Sequence, residues 1–244
     1  YTSELLDCLE ENNAHATFFM LGQNVQNYQD DVKRMLELGC EIGNHSWDHA
    51  NMYELSLDSV VKEFNDADQA LIDACGQAST VVRAPYGNAN EDIMNAVGKP
   101  FFMWSLDSLD WKYKDVDLDY KSIMQDNSSV IKDGTIILMH DIHEPSVKAA
   151  ERIIPELINM GFKLVTVSEM AEAKNVTLQN ASYNNFWQDI LDQGLVPGYA
   201  GNSTSDADTS DGTEDSSDGS EDGSGSDGSE DYSDGSEDGS NSSE

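Results

Sequence analysis

The chain has 244 residues, of which 47 are Asp or Glu and 13 are Lys or Arg, so its formal net charge at pH 7 is −34. This length is enough for one domain with a sizeable core. Such a negative surface argues against nucleic acid and anionic membranes as partners, and no apolar run approaches the roughly eighteen residues that span a bilayer.

Helix-like and strand-like segments alternate between Ser3 and Met170. In chain order they are the helical SELLDCLEENN, the apolar ATFFML, the helical VQNYQDDVKRMLELG, the strand CEIG, a long amphipathic helix from Ser56 to Gly76, and the strand TVVRAP. They continue with EDIMNAVG, FFMWSL, DYKSIMQDN, GTIILMH, SVKAAERIIPELINMG and KLVTV. This alternation, with about six strands, predicts an α/β fold with a parallel sheet, either open or closed into a barrel. A barrel would need one further strand before Tyr1.

The last part of the sequence has a different composition. Residues 171–202 are predicted only as a decoration with one short helix. Residues 203–244 are almost wholly Ser, Asp, Gly and Glu and carry −15 of the −34 net charge, which leaves −19 on residues 1–202. This segment has too little apolar surface to offset the entropy of ordering. We therefore predict a disordered acidic tail at 203–244. A flexible linker or wall-attachment segment is favoured there over a calcium site.

Polar residues capable of chemistry follow four successive predicted strands, which is where α/β folds place their sites. They are His45, Ser46 and His49 after CEIG, Arg83, Pro85 and Tyr86 after TVV, Asp107, Asp110 and Trp111 after FFMWSL, and His140 and Asp141 after TIILM.

Each motif has an ordinary structural explanation when taken alone. The two imidazoles of HSWDH could reach one metal ion, but paired histidines in a loop are more often incidental, and Ser46 stands where a helical zinc motif has its Glu. The segment around Arg83 could be a turn with an ion pair. His140 could be a structural histidine at the end of a strand. The order and spacing of the motifs favour a shared site.

Together these motifs resemble the polysaccharide deacetylases of the NodB-homology type, carbohydrate esterase family four. The matching segments are His-Ser-x-x-His at 45–49, Arg-x-Pro-Tyr at 83–86, Asp-x-x-Asp-Trp at 107–111 and Leu-x-His at 138–140. The resemblance extends over residues 1–170 and implies a distorted (β/α) barrel, here without its first strand. The family's first motif, Thr-Phe-Asp-Asp-Gly, would lie just before Tyr1 and supply the general base and a metal ligand, so little turnover is expected without it.

The resemblance implies metal-dependent hydrolysis of N-acetyl groups on a β-1,4-linked N-acetylglucosamine polymer such as chitin, chitooligosaccharide or peptidoglycan. His45 and His49 would hold one divalent metal, zinc first, with cobalt or nickel as alternatives. The resemblance also implies that the backbone N–H of Tyr86 contacts the oxyanion, that His140 is the general acid and that Asp110 pairs with His140. Arg83 would hold the general base. Trp111 and Leu138 would form the walls of the acetyl pocket, and Ser46 would brace the loop. Asp107 could share the role of Asp110.

Two other functions remain open on the sequence. One is an acetylxylan esterase, since the same site can cleave an O-acetyl group, and the other is a catalytically inactive glycan-binding wall protein. A monomer that is secreted or attached to the cell wall or cell surface is expected. Asn-x-Ser/Thr acceptors favour secretion and occur at Asn44, Asn127, Asn175, Asn180, Asn202 and Asn241. Three cysteines, at Cys8, Cys40 and Cys75, predict either buried thiols or one disulfide with a thiol left over.

Overall fold

The computed structural model describes residues 1–201, and the predicted disordered tail at 203–244 lies outside the described residues. The helices are α1 Thr2–Glu11, α2 Gly22–Val25, α3 Gln29–Glu37, α4 Leu57–Cys75, α5 Glu91–Val97, α6 Asp110–Tyr113, α7 Val116–Lys121, α8 Glu144–Asn159, α9 Val167–Ala173 and α10 Gln188–Asp192. The strands are β1 Thr17–Met20, β2 Glu41–Asn44, β3 Phe101–Phe102, β4 Leu106–Asp107, β5 Ile137–Leu138 and β6 Ser182–Tyr183.

The named strands pair in parallel. Strand β1 pairs with β2, β3 with β6, and β4 with β5. Val82 connects the first two pairs, because it forms parallel bridges with Asn44 at the end of β2 and with Phe101 in β3. The predicted α/β class is therefore confirmed. Parallel pairing places the carboxyl ends of neighbouring strands at one edge, where their following loops can meet.

Helix α4 shows how local sequence sets the limits of an element. The side chain of Ser56 accepts the backbone N–H of Ser59 at the start of the helix, and Gly76 ends it with a left-handed φ of 85°. Between them, apolar residues at helical spacing are buried against the sheet, including Val60, Phe64 and Leu71. The bounds predicted from the sequence, Ser56 and Gly76, are confirmed.

Several predicted elements are corrected. KLVTV is not a strand, because Thr166 and Glu169 form a capping box that begins α9 at Val167. TVVRAP forms only isolated bridges at Val82, and FFMWSL divides into β3 and β4. The helix predicted over VQNYQDDVKRMLELG, residues 25–39, forms only as α3 from Gln29 to Glu37, since Val25 ends the separate helix α2 and residues 26–28 lie between the two.

Residues 171–200 contribute more than the one short helix predicted for them. Besides α10, they supply β6, and Tyr183, Phe186 and Leu191 are fully buried. The ring centroid of Tyr183 lies 5.3 Å from that of Phe102 and 5.8 Å from that of Phe186. These aromatic contacts make the segment part of the core. The boundary at residue 170 remains a prediction.

Some sequence features have a simple structural outcome. In residues 1–201, no helix combines the length and apolarity that crossing a membrane requires. Cys8, Cys40 and Cys75 are free thiols. Asn44 is fully buried, so it cannot serve as a glycan acceptor in the folded protein.

Candidate active site

The HSWDH segment forms a loop at the carboxyl end of β2. The side-chain oxygen of Asn44 accepts the N–H of Ser46 at 2.9 Å, and the Ser46 hydroxyl accepts the N–H of His49 at 3.1 Å. Ser46 and His49 have left-handed φ values of 69° and 72°. The loop brings the ring centroids of His45 and His49 to 4.9 Å, and Ser46 is buried beneath it in a bracing position.

Both imidazoles have the chemistry of metal ligands. His45 Nδ1 lies 2.7 Å from the backbone carbonyl oxygen of Arg83, and because a carbonyl only accepts, Nδ1 carries the proton and the lone pair is on Nε2. Burial lowers the pKa of His45 to about 3 and also lowers the pKa of His49. Neutral imidazoles are the form that binds a divalent metal, so this pair fits one. Within residues 1–201 no third His, Cys, Asp or Glu completes a ligand cluster.

Arg83 is a buried cation beside this pair. Its Nε donates to the carbonyl oxygen of Phe102 at 2.8 Å and its Nη2 to that of Met103 at 3.0 Å, while the guanidinium lies 4.2 Å from the ring centre of Phe19. Burial lowers the pKa of Arg83 to about 10, so it stays charged at neutral pH. The arginine ion pairs found within residues 1–201 belong to Arg34 and Arg152. Arg83 therefore has no carboxylate partner within residues 1–201, although a buried charge usually has one.

Asp110 and His140 form a close pair. His140 Nδ1 lies 2.7 Å from Asp110 Oδ1, and the backbone N–H of His140 donates to Asp110 Oδ2 at 2.6 Å. Burial alone would raise the pKa of Asp110, but the hydrogen bonds and charge of His140 outweigh it and hold the pKa below its ordinary value. The carboxylate is thus ionised and fixes the ring, with Nε2 as its free nitrogen.

The structure distinguishes Asp110 from its acidic neighbours, which the spacing of the motif does not. Asp107 uses Oδ1 to accept the N–H of Leu109 at 2.8 Å, and Asp141 accepts the hydroxyl of Thr2 at 2.6 Å. Neither hydrogen bond involves the ring of His140. The pairing role that Asp107 could have shared therefore lies with Asp110.

The predicted site residues meet in two groups. The ring of His45 contacts that of His49 and the backbone of Arg83, and Asp110 contacts His140. After burial, the charge of His140 is among the causes that lower the pKa of His45 and His49. The ring of Tyr86 lies 4.7 Å from that of His49, at a residue with a φ of 59°. Within residues 1–201, His45, His49, Arg83 and Tyr86 thus form one group, and Asp110 and His140 form a second group at the ends of β4 and β5. Trp111 is half exposed beside Asp110, and Leu138 is buried in β5.

Asp119 in α7 is a buried acidic residue that the sequence analysis missed. Its side chain is fully buried, and both carboxylate oxygens lack a hydrogen-bond partner within residues 1–201. Burial, followed by the charge of Asp110, raises its pKa to about 6. The sequence did contain a signal for the burial of Asp119. It lies four residues before Ile123, which is buried, and residues i and i+4 share a helix face.

Asp119→Asn is expected to stabilise the protein at pH 7 and to have little effect at pH 4. The folded-state pKa of about 6 lies above the ordinary value of 3.8, so ionising this carboxyl costs stability as the pH rises from about 4 to about 6. The gain in free energy of unfolding at pH 7 should be about 1–3 kcal/mol. Urea unfolding of variant and wild type at both pH values measures it, and comparing the two cancels other titrating groups such as His45. An equal effect at pH 4 and pH 7 would contradict the assignment.

Several known proteins are similar in sequence to most of residues 1–201. Residues 1–100 match the family model described as polysaccharide deacetylase. The chain is 39% identical over 173 residues to the peptidoglycan-N-acetylmuramic acid deacetylase PdaC of Bacillus subtilis, covering 71% of this chain and 36% of that protein. It is 33% identical over 200 residues to a peptidoglycan-N-acetylglucosamine deacetylase of Bacillus cereus, covering 78% of this chain and 69% of that protein. The chain thus spans only about a third of the length of PdaC.

Solved structures agree with the sequence comparison. A family 4 acetyl xylan esterase from Clostridium thermocellum, solved in complex with a cobalt ion, superposes with a TM-score of 0.69 at 30% identity and covers 75% of this chain and 91% of that one. With the parallel α/β architecture and the identity to the Bacillus cereus deacetylase, this likeness is enough to assign the family. The chain belongs to the polysaccharide deacetylases of the NodB-homology type, carbohydrate esterase family four.

Proposed function

We propose that the protein hydrolyses N-acetyl groups of a β-1,4-linked N-acetylglucosamine polymer, with peptidoglycan as the first candidate and chitin or chitooligosaccharide as alternatives. The observation that carries the proposal is the presence of two contacting neutral imidazoles, His45 and His49, and of a hydrogen-bonded Asp110–His140 pair, each at the carboxyl end of parallel strands. Such a site combines a metal-binding pair with a group that can deliver a proton. Peptidoglycan is favoured because two relatives carry it in their names.

His45 and His49 would hold one divalent metal, for which we propose zinc, with cobalt and nickel also suited to imidazole ligands. When bound, the metal would supply a Lewis acid for the acetyl carbonyl and activate water. We propose that carboxylates outside residues 1–201 supply the third ligand and the general base. The buried charge of Arg83, whose hydrogen bonds within residues 1–201 go to carbonyl oxygens, supports an ionised carboxylate as its partner.

The remaining steps would be carried out by groups within residues 1–201. His140 would donate a proton from Nε2 to the leaving amine, while Asp110 holds the proton on Nδ1 and keeps the ring in place. The backbone N–H of Tyr86 would donate to the oxyanion of the tetrahedral intermediate. Trp111 and Leu138 would wall the acetyl methyl group, as an exposed and a buried apolar surface respectively.

We further propose that the protein acts as a monomer, secreted or at the cell wall or cell surface. A wall polymer as substrate supports this location. The formal charge of −34 also suits a polymer that becomes cationic as its amines are released.

Acetate release distinguishes the candidate functions. The chain and a form extended upstream of Tyr1 are incubated with peptidoglycan, chitooligosaccharides and acetylated xylan, and acetate is measured. We expect release from an N-acetylated glycan, strongest in the extended form. Release from xylan alone would favour an esterase, the second candidate, which the likeness to the Clostridium thermocellum enzyme supports. No release from any polymer, with glycan binding retained, would favour an inactive wall protein.

A further inference from the structure

Asn44 lies directly before the first histidine of the site and is fully buried. Its side-chain Nδ2 donates to the carbonyl oxygen of Phe64 at 2.8 Å and to Asp68 Oδ1 at 3.0 Å. Both partners only accept hydrogen bonds, so the amide can face them only with its nitrogen. The amide oxygen must therefore point the other way, where it accepts the N–H of Ser46 at 2.9 Å.

Asp68, on α4, is held in turn by hydrogen bonds and an ion pair. Its Oδ1 also accepts the hydroxyl of Ser79 at 2.7 Å and the N–H of Ser79 at 3.3 Å. Its Oδ2 pairs with the ammonium group of Lys99, which donates as well to the carbonyl oxygen of Ser79 at 2.8 Å. The side chains of this ion pair are only 23% and 12% exposed for Lys99 and Asp68, and both also hydrogen-bond to their surroundings, so moving either one leaves another polar group unpaired.

The network ends on the strained part of the histidine loop. Ser46 and His49 both have left-handed φ values, which are unfavourable for residues other than glycine. Such a conformation persists only where the surroundings enforce it. Here the Asn44 oxygen holds the N–H of Ser46, and the Ser46 hydroxyl holds the N–H of His49 at 3.1 Å.

We propose that Asn44, anchored by the partly buried Asp68–Lys99 pair, is a positioning residue that sets the separation of the His45 and His49 rings. Its side-chain hydrogen bonds go to Phe64, Asp68 and Ser46, so it acts through the backbone of Ser46. The effect of Asn44 on metal binding rests on the proposed function, whereas its effect on the shape of the loop is independent of that function. The two can therefore fail separately.

Asn44→Ala tests the proposal, with Glu41→Ala as the matched control. Glu41 lies at the opposite end of the same strand, where its carboxylate accepts the hydroxyl of Thr17 at 2.9 Å and the N–H of Ser168 at 3.2 Å. In metal-free protein, amide hydrogen exchange at Ser46 and His49 should be at least about tenfold faster in Asn44→Ala and unchanged in Glu41→Ala. Zn²⁺ affinity, measured by titration, should fall about tenfold in the first variant only.

A second variant covers the case in which Asn44→Ala does not fold. Asp68→Leu with Lys99→Met replaces the ion pair by apolar side chains, a change that proteins often tolerate, and removes the anchor of Asn44. Faster exchange at Ser46 is expected there too. Equal exchange and equal Zn²⁺ affinity in the Asn44 and Glu41 variants would overturn the proposal. Faster exchange without Zn²⁺ binding in any form would support the positioning role and contradict the proposed metal dependence.

Discussion

His140→Asn is expected to lower the rate of acetate release by about 10²- to 10⁴-fold, the usual contribution of a general acid. The physical reason is the geometry of the pair: Asp110 occupies Nδ1 at 2.7 Å, which leaves Nε2 as the nitrogen that can deliver a proton. An amine anion is a poor leaving group, so the carbon–nitrogen bond breaks slowly without that proton. The backbone N–H of residue 140 would still donate to Asp110, so the fold should be retained.

The measurement is kcat for acetate release from the preferred glycan, using the form of the protein that shows turnover. Asp141→Asn is the matched control, because this neighbouring carboxylate accepts from Thr2 at 2.6 Å instead of from an imidazole. The control should keep most of its activity. A His140→Asn enzyme with a kcat near that of wild type would rule out His140 as the general acid.

Removal of the metal by a chelator is expected to abolish measurable acetate release, and Zn²⁺ should restore it. His49→Ala should have the same effect without a chelator, because it removes one of the two neutral imidazoles that the site provides. We choose His49 because His45 also donates from Nδ1 to the carbonyl oxygen of Arg83, and losing that contact would disturb the strand end.

The measurement for this prediction is Zn²⁺ content of the purified protein together with acetate release. His15→Ala is the matched control, since His15 is another partly buried imidazole, but it pairs with Glu169 at 3.0 Å. That variant should keep its metal and its activity. Full turnover in chelated protein, or Zn²⁺ bound equally by His49→Ala and wild type, would contradict a metal site at these histidines.

Local signals accounted for a large part of the fold. Helix α4 begins and ends where Ser56 and Gly76 predict, because a cap needs only residues within one turn. The strand-end rule also brought His45 together with Arg83 and Asp110 together with His140, since neighbouring parallel strands have their carboxyl ends side by side. KLVTV was assigned wrongly because its apolar alternation outweighed the capping box of Thr166 and Glu169, a signal that was present in the sequence.

Contacts between distant residues account for what could not be predicted. The choice of Asp110 over Asp107 depends on which carboxylate faces His140, 30 residues away. The inward position of Asp119 and the chain from Lys99 through Asp68 to Asn44 likewise depend on how helices pack on the sheet. The residue types and their order were thus enough to indicate the chemistry of the site. Its proton positions, buried charges and loop shape required the packed fold, because burial and hydrogen-bond direction are properties of neighbours in space.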